Sequence, residues 1–192
     1  MTTRRIIVGI SGASGTAYGV RALELMKVID DVETHLVVTP AARQTLAIET
    51  DLTGPELEAL ADEVHEVRDL AAPIASGSFP AAGMIVAPCS IKSLSAIAHS
   101  FSADLLARSA DVTLKERRPL VLMVRETPFH LGHLRLMAQA TEMGAIVHPP
   151  IPAFYTRPAT VEEIIDDSIG RAIEHLGIEV SGIRRWEGPP AG

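Results

Sequence analysis

Five short apolar runs punctuate this chain, and helical patterns fill most of the space between them. The runs are "RIIVGI" (5–10), "ETHLVVT" (33–39), "GMIVAPCS" (83–90), "PLVLMVRE" (119–126) and "AIVHPP" (145–150). Runs that stay apolar throughout bury both faces, which a strand achieves in a parallel sheet covered by helices on each side. The pattern predicts a three-layer α/β/α domain with a parallel central sheet.

Helices are expected at roughly 15–29 and in "AARQTLAIE", where Thr39-Pro40 supplies an N-cap and a first-turn proline. "GPELEALADEV" reads as a further short helix, and "IKSLSAIAHS" through "RSADVTLKER" as helix. "HLGHLRLMAQATEMG" is closed by Gly144. "TVEEIIDDSIGRAIEHLG" opens on a Thr160-x-x-Glu163 capping box. "VSGIRRWEGPPAG" has no period, so residues 1–180 form one domain and 181–192 an irregular tail carrying Trp186.

With 192 residues, 47% hydrophobic and 21% charged, the chain can bury one sizeable core. A net charge of −7 argues against a general nucleic-acid binder, though a local basic pocket can still hold an anionic small molecule. Cys89 is the only cysteine, which excludes an intramolecular disulfide and a cysteine-rich metal site and fits a reducing compartment. The start, "MTTRRIIVGISGASG", is too weakly apolar for a signal peptide, and no 18-residue apolar run exists. The expectation is a cytoplasmic protein without a membrane partner.

Ligands of such folds lie outside the carboxyl ends of the strands. The residues there are Ser11-Gly12-Ala13-Ser14, Thr39-Pro40, Pro88-Cys89-Ser90, Arg125-Glu126-Thr127 and Pro149-Pro150. Hydroxyls, a cation and a carboxylate thus collect on one edge. "GISGASGTAYG" permits close backbone approach and leads into a helix N-terminus, so it is either an anion site or a plain tight turn. It is not the Gly-x-Gly-x-x-Gly fingerprint, and it lacks a Walker lysine. Nor does Tyr18 or Tyr155 begin the Tyr-x-x-x-Lys of short-chain dehydrogenases.

The remaining candidates each carry a plainer reading. Ser90, Ser93 and Ser95 cap a helix or grip a phosphate beside Lys92. Cys89 is a small buried side chain before it is a nucleophile. Arg125 and Glu126 form a structural or a functional pair. His130 and His133 share a helix face without nearby carboxylates, and "VTLKERRP" is a solvated helix end unless Lys115 turns inward. Trp186 demands burial on its own core, on a neighbouring subunit, or over a flat ligand.

In order, "VGISGASG", "ETHLVVTPAARQTLAIETD", "GSF", "PCSIKSLSAIAHS", "ADVTLKERRPLVLMVRETPFHLGHLRLM" and "PPIPAFYTRP" closely resemble the UbiX-type flavin prenyltransferases, from about Arg4 to Trp186. The resemblance implies a flavodoxin-like Rossmann fold, a dodecamer of trimers and no metal. It implies transfer of a dimethylallyl group from dimethylallyl phosphate to N5 and C6 of reduced FMN. The prenylated FMN then serves UbiD-type decarboxylases.

Carried over on the same resemblance, FMN contacts fall on Gly12, Ala13, Ser14, Thr39, Ser90, Ile91, Lys92, Ser93 and Arg125. Prenyl-phosphate contacts fall on Tyr155 and Arg171, completed by Lys115 and Arg108 from an adjacent subunit. The implied catalytic set is Ser14, Glu49, Glu126, Lys115 and Trp186. In it Glu126 and Ser14 relay a proton to or from phosphate, Glu49 assists proton removal at the flavin ring, and Trp186 flanks the allylic cation. Thr39 replaces a frequent serine and Pro40 a frequent lysine. Two other readings compete. A cysteine-type decarboxylase of the same fold would need a histidine in the first helix, where "TAYGVRALELM" has none. A non-catalytic FMN carrier, or accessory subunit of a decarboxylase, would need only the binding residues.

Overall fold

The computed structural model describes residues 3–186 and 188. Among the described residues six strands form one all-parallel sheet: β1 (Arg4–Ile10), β2 (Val32–Val38), β3 (Glu63–His65), β4 (Ala81–Cys89), β5 (Leu120–Val124) and β6 (Ile146–Val147). They lie in the order β3-β2-β1-β4-β5-β6. Seven helices connect or flank them: α1 (Thr16–Lys27), α2 (Pro40–Glu49), α3 (Gly54–Glu58), α4 (Ile91–Ala98), α5 (Leu105–Lys115), α6 (Leu131–Glu142) and α7 (Val161–Glu174).

Why the strands read as apolar throughout is visible in β1. Ile6, Val8 and Ile10 join the core on one face of the sheet, together with α1 and α7. Ile7 points to the other face, into a core with Leu94 and Ile97 of α4 and Leu105 and Leu106 of α5. Alternate side chains leave a strand on opposite faces, so a strand covered on both sides has no polar register.

The expected helix over residues 54–64 ends after Glu58, and Glu63–His65 pair instead with His35–Val37 as the edge strand β3. A capping box between Thr53 and Glu56 starts this short helix, but nothing sustains it beyond one turn. Likewise the expected helix from Ile91 onward is two helices. Ser100 adopts a left-handed φ of 51°, and Asp104 restarts the second helix by accepting the Ala107 N–H at 2.9 Å. The Thr160 hydroxyl caps α7 by accepting the Glu163 N–H at 3.2 Å. The reciprocal half of that expected box is diverted, since the Glu163 carboxylate accepts the Ala159 N–H at 2.9 Å.

After β1 the chain builds β2 and β3 on one side, then crosses to β4, β5 and β6 on the other. The connections therefore diverge between β1 and β4, and the crevice outside their carboxyl ends is where such sheets hold ligands. No helix among the described residues is long and apolar enough to cross a membrane.

Candidate functional site

The crevice is held together by Ser11, which is fully buried. Its hydroxyl donates to the Pro88 carbonyl at 2.9 Å and accepts the Ser90 N–H at 2.7 Å. One side chain thereby fixes the loop after β1 against the loop after β4.

Two helices begin at this crevice. Thr39 caps α2 by accepting the Ala42 N–H at 3.2 Å, and Ser90 caps α4 by accepting the Ser93 N–H at 3.3 Å. Both hydroxyls therefore serve as caps, while the remaining first-turn N–H groups and the positive dipole ends face outward. A cleft of about 450 Å³ lies between them, lined by Gly12, Thr39, Ser90, Ile91, Lys92 and Ser93, with Asp104 and Glu126 also on its wall. Gly12 lies so close to the first turn of α2 that a Cβ there would overlap the side chain of Ala41. Two helix N-termini and the Lys92 ammonium suit a phosphate. The residues fit FMN.

A second cleft of about 430 Å³ adjoins the start of α1 and contains Ser14, Glu49 and Arg125. Its opposite wall is apolar, built by Val161, Ile164 and Ile165 of α7. Gly15 enters α1 with φ of 100°, a left-handed value that glycine adopts at no steric cost. The Glu49 carboxylate then accepts the Gly15 N–H at 2.9 Å and the Thr16 N–H and hydroxyl, both at 2.9 Å. Burial alone would push Glu49 upward. The hydrogen bonds from Ser14, Thr16 and Gly15 outweigh it and hold the carboxyl below its ordinary value. Tyr18 lines the same cleft, and burial raises its phenol despite the opposing charge of Arg125, so it stays a neutral donor. Sequence reading weighed Tyr18 only as a dehydrogenase tyrosine and did not place it at this cleft.

A third pocket of about 180 Å³ brings Tyr155 and Arg171 together with His148, Asp167, Ser168 and Arg184. Burial, with the charges of His175 and Arg171, pushes His148 below its ordinary value, so its ring is neutral near pH 7. Trp186 is not buried on its own core. It is 62% exposed, and its ring meets Tyr155 edge-on at 5.6 Å between centroids.

Of the residues expected at the site, Gly12, Thr39, Ser90, Ile91, Lys92, Ser93 and Glu126 share the first cleft, and Ser14, Glu49 and Arg125 the second. Ala13 joins the two clefts along the chain, its N–H donating to the Ser11 carbonyl at 2.8 Å. Tyr155 and Arg171 share the third. Lys115 and Arg108 do not join them within one chain. Lys115 is exposed and ion-paired with Glu116, whereas Arg108 donates to the Ala75 carbonyl at 3.1 Å and pairs with Asp111 at 3.2 Å. Cys89 takes its plainer reading: it is fully buried, and burial pushes its thiol up to about 12, which rules out a ready thiolate. The His130 and His133 rings lie 3.6 Å apart between centroids with planes tilted by 35°, and the His130 ring caps α6 by accepting the Gly132 N–H at 3.0 Å.

Sheet order and helix-terminal donors together define a class, an α/β protein of flavodoxin-like fold with an anion-binding crevice between β1 and β4. The flavoprotein family profile matches residues 1–172. Flavin prenyltransferase UbiX of Escherichia coli strain K12 is 56% identical over 187 residues, covering 96% of this chain and 99% of the relative. The crystal structure of AnUbiX in complex with FMN and dimethylallyl pyrophosphate superposes with a TM-score of 0.95 at 47% identity, covering 97% of this chain and 98% of that one. A dodecameric FMN-dependent UbiX-like decarboxylase from Escherichia coli O157:H7 superposes with a TM-score of 0.94 at 43% identity, covering 96% of this chain and 100% of that one. The chain belongs to the flavoprotein family and, within it, to the UbiX flavin prenyltransferases.

Proposed function

We propose that the protein transfers the dimethylallyl group of dimethylallyl phosphate to N5 and C6 of reduced FMN, and releases prenylated FMN in the cytoplasm to a UbiD-type decarboxylase. The observation that carries this reading is the adjacency of two unlike clefts at the carboxyl ends of the strands. The cleft at Ser90 and Lys92 and the apolar cleft beside Ser14 meet along Gly12–Ser14 and along Arg125–Glu126.

Each surface has a task. Lys92 and the N-termini of α2 and α4 hold the FMN phosphate. When bound, reduced FMN supplies the electron-rich ring atoms that accept the alkyl group. Arg171 and Tyr155 bind the substrate phosphate and stabilise the charge it gains as its ester C–O bond weakens. Val161, Ile164 and Ile165 exclude water from the allylic carbon, which would otherwise be lost to hydrolysis. Ser14 and Glu126 pass a proton to the departing phosphate, and the Trp186 face flanks the allylic cation. Glu49, held low by its hydrogen bonds, is a weakened base and a strong anchor for the Ser14 loop. Lys115 and Arg108 enter from an adjacent subunit of a dodecamer.

The test is anaerobic incubation with reduced FMN and dimethylallyl phosphate, followed by mass spectrometry of the released flavin. A flavin heavier by one dimethylallyl unit is expected. Recovery of unmodified FMN would instead make the protein a carrier.

A further inference from the structure

After Glu174 the described chain forms no further helix or strand, so the tail is held by side chains alone. Two of them grip α7 at separate points. Ile183 fills the notch at Gly170, where an added Cβ would overlap its Cγ1 and Cδ1 but lie 3.7 Å from its own Cβ. Arg184 donates to Glu163 Oε2 and Asp167 Oδ2, both at 3.1 Å, and to the Thr156 carbonyl at 2.9 Å. Asp167 is buried, so this guanidinium neutralises a charge that water barely reaches.

Thr156 follows Tyr155 in the same 3-10 turn (Phe154–Thr156), so Arg184 ties the tail to the turn from which Tyr155 projects. Two residues further on, the Trp186 ring meets Tyr155 at 5.6 Å with planes 75° apart. Glu174 adds a link by pairing with both Arg185 of the tail and Arg171 of the pocket.

We propose that Ile183 and Arg184 form a two-point clasp that sets the position of Trp186 against Tyr155, making both of them positioning residues for the Tyr155–Arg171 pocket. Neither residue touches the other two clefts, so the clasp acts on one substrate only. Its consequence for catalysis rests on reading that pocket as the prenyl-phosphate seat. Its consequence for Trp186 does not.

Trp186 is the only tryptophan, so the tryptophan emission of the whole protein reports on the tail. Gly170→Ala places a Cβ where Ile183 lies while improving the helix propensity of α7, so it evicts the tail without weakening the helix. The time-resolved anisotropy of this variant should gain a fast local component. Ile183→Ala, which empties the notch at Gly170, should gain the same fast component. Arg184→Gln should also free the indole. It should raise KM for dimethylallyl phosphate about tenfold, within the hundredfold that an ångström of misplacement costs, and leave FMN affinity unchanged.

A wild-type decay in Gly170→Ala or in Ile183→Ala overturns the clasp. Altered anisotropy with unchanged KM in Arg184→Gln overturns its role in positioning the pocket. If the wild-type protein transfers no dimethylallyl group, the functional reading fails while the anisotropy series still decides the clasp.

Discussion

The Glu49 carboxylate holds Thr16 twice, by its backbone N–H and by its hydroxyl, each at 2.9 Å. The last residue of α2 therefore completes the first turn of α1, and Ser14 is carried on the loop so fixed. A carboxylate at a helix N-terminus satisfies orphan donors and meets the positive end of the dipole.

Glu49→Gln should cost about 1 kcal/mol near neutral pH, the usual worth of such a cap. The sign with pH follows from the lowered value. The stabilisation is present above the ordinary carboxylate range and is lost as pH falls below it through the folded-state value. Urea titrations of both proteins from pH 7 down to pH 3 should show the difference shrinking towards the acid end. A constant difference would mean that the ionised carboxylate is not what holds α1.

Ser11→Ala should be more damaging than its size suggests. It leaves the Ser90 N–H without its acceptor, while the Pro88 carbonyl keeps the backbone N–H of residue 11 at 3.2 Å, and an unmet buried group costs about 1–3 kcal/mol. Because these groups belong to the loop that carries Ser90 and Lys92, FMN affinity should fall along with the denaturation midpoint. Loss of stability with intact FMN binding would separate the buried junction from the cleft.

Those two residues also show where sequence reading ends. Ser11 and Ser90 were legible as strand-end residues because strand-then-helix alternation alone dictates that such positions share an edge. That one serine bridges both loops was not legible, since it depends on β1 and β4 becoming neighbours. The edge strand Glu63–His65 was missed for the same reason: its pairing with His35–Val37 is made at long range, and its own side chains carry no apolar pattern. The break near Ser100 had a local sign in Asp104, a good N-cap read through as helix interior. Arg184 left no signal at all, because an aperiodic tail does not reveal which helix it lies on.

Lys92→Ala should weaken FMN binding about tenfold, the equivalent of one charge-assisted hydrogen bond of about 1.5 kcal/mol. Riboflavin, which lacks the phosphate, should bind wild type and variant alike. Fluorescence titration with both flavins makes the comparison, and an equal loss for riboflavin would move Lys92 from the phosphate to the ring.

The position of Lys115 leads to a test of shared sites. In one chain Lys115 lies at the end of α5, paired with Glu116, and outside the pocket that unites Tyr155 with Arg171. If both act on one prenyl phosphate, they come from different copies, as a ring-forming heterologous interface allows. Lys115→Ala and Tyr155→Phe chains should each be nearly inactive alone. Co-assembled in equal amounts, they should regain activity, because about a quarter of the sites then draw an intact Lys115 from one copy and an intact Tyr155 from another. Measuring prenyl transfer by the mixed oligomer against the two parents decides it. A mixture no better than its parents would leave Lys115 as a surface ion pair, and the substrate phosphate to Arg171 and Tyr155 of a single chain.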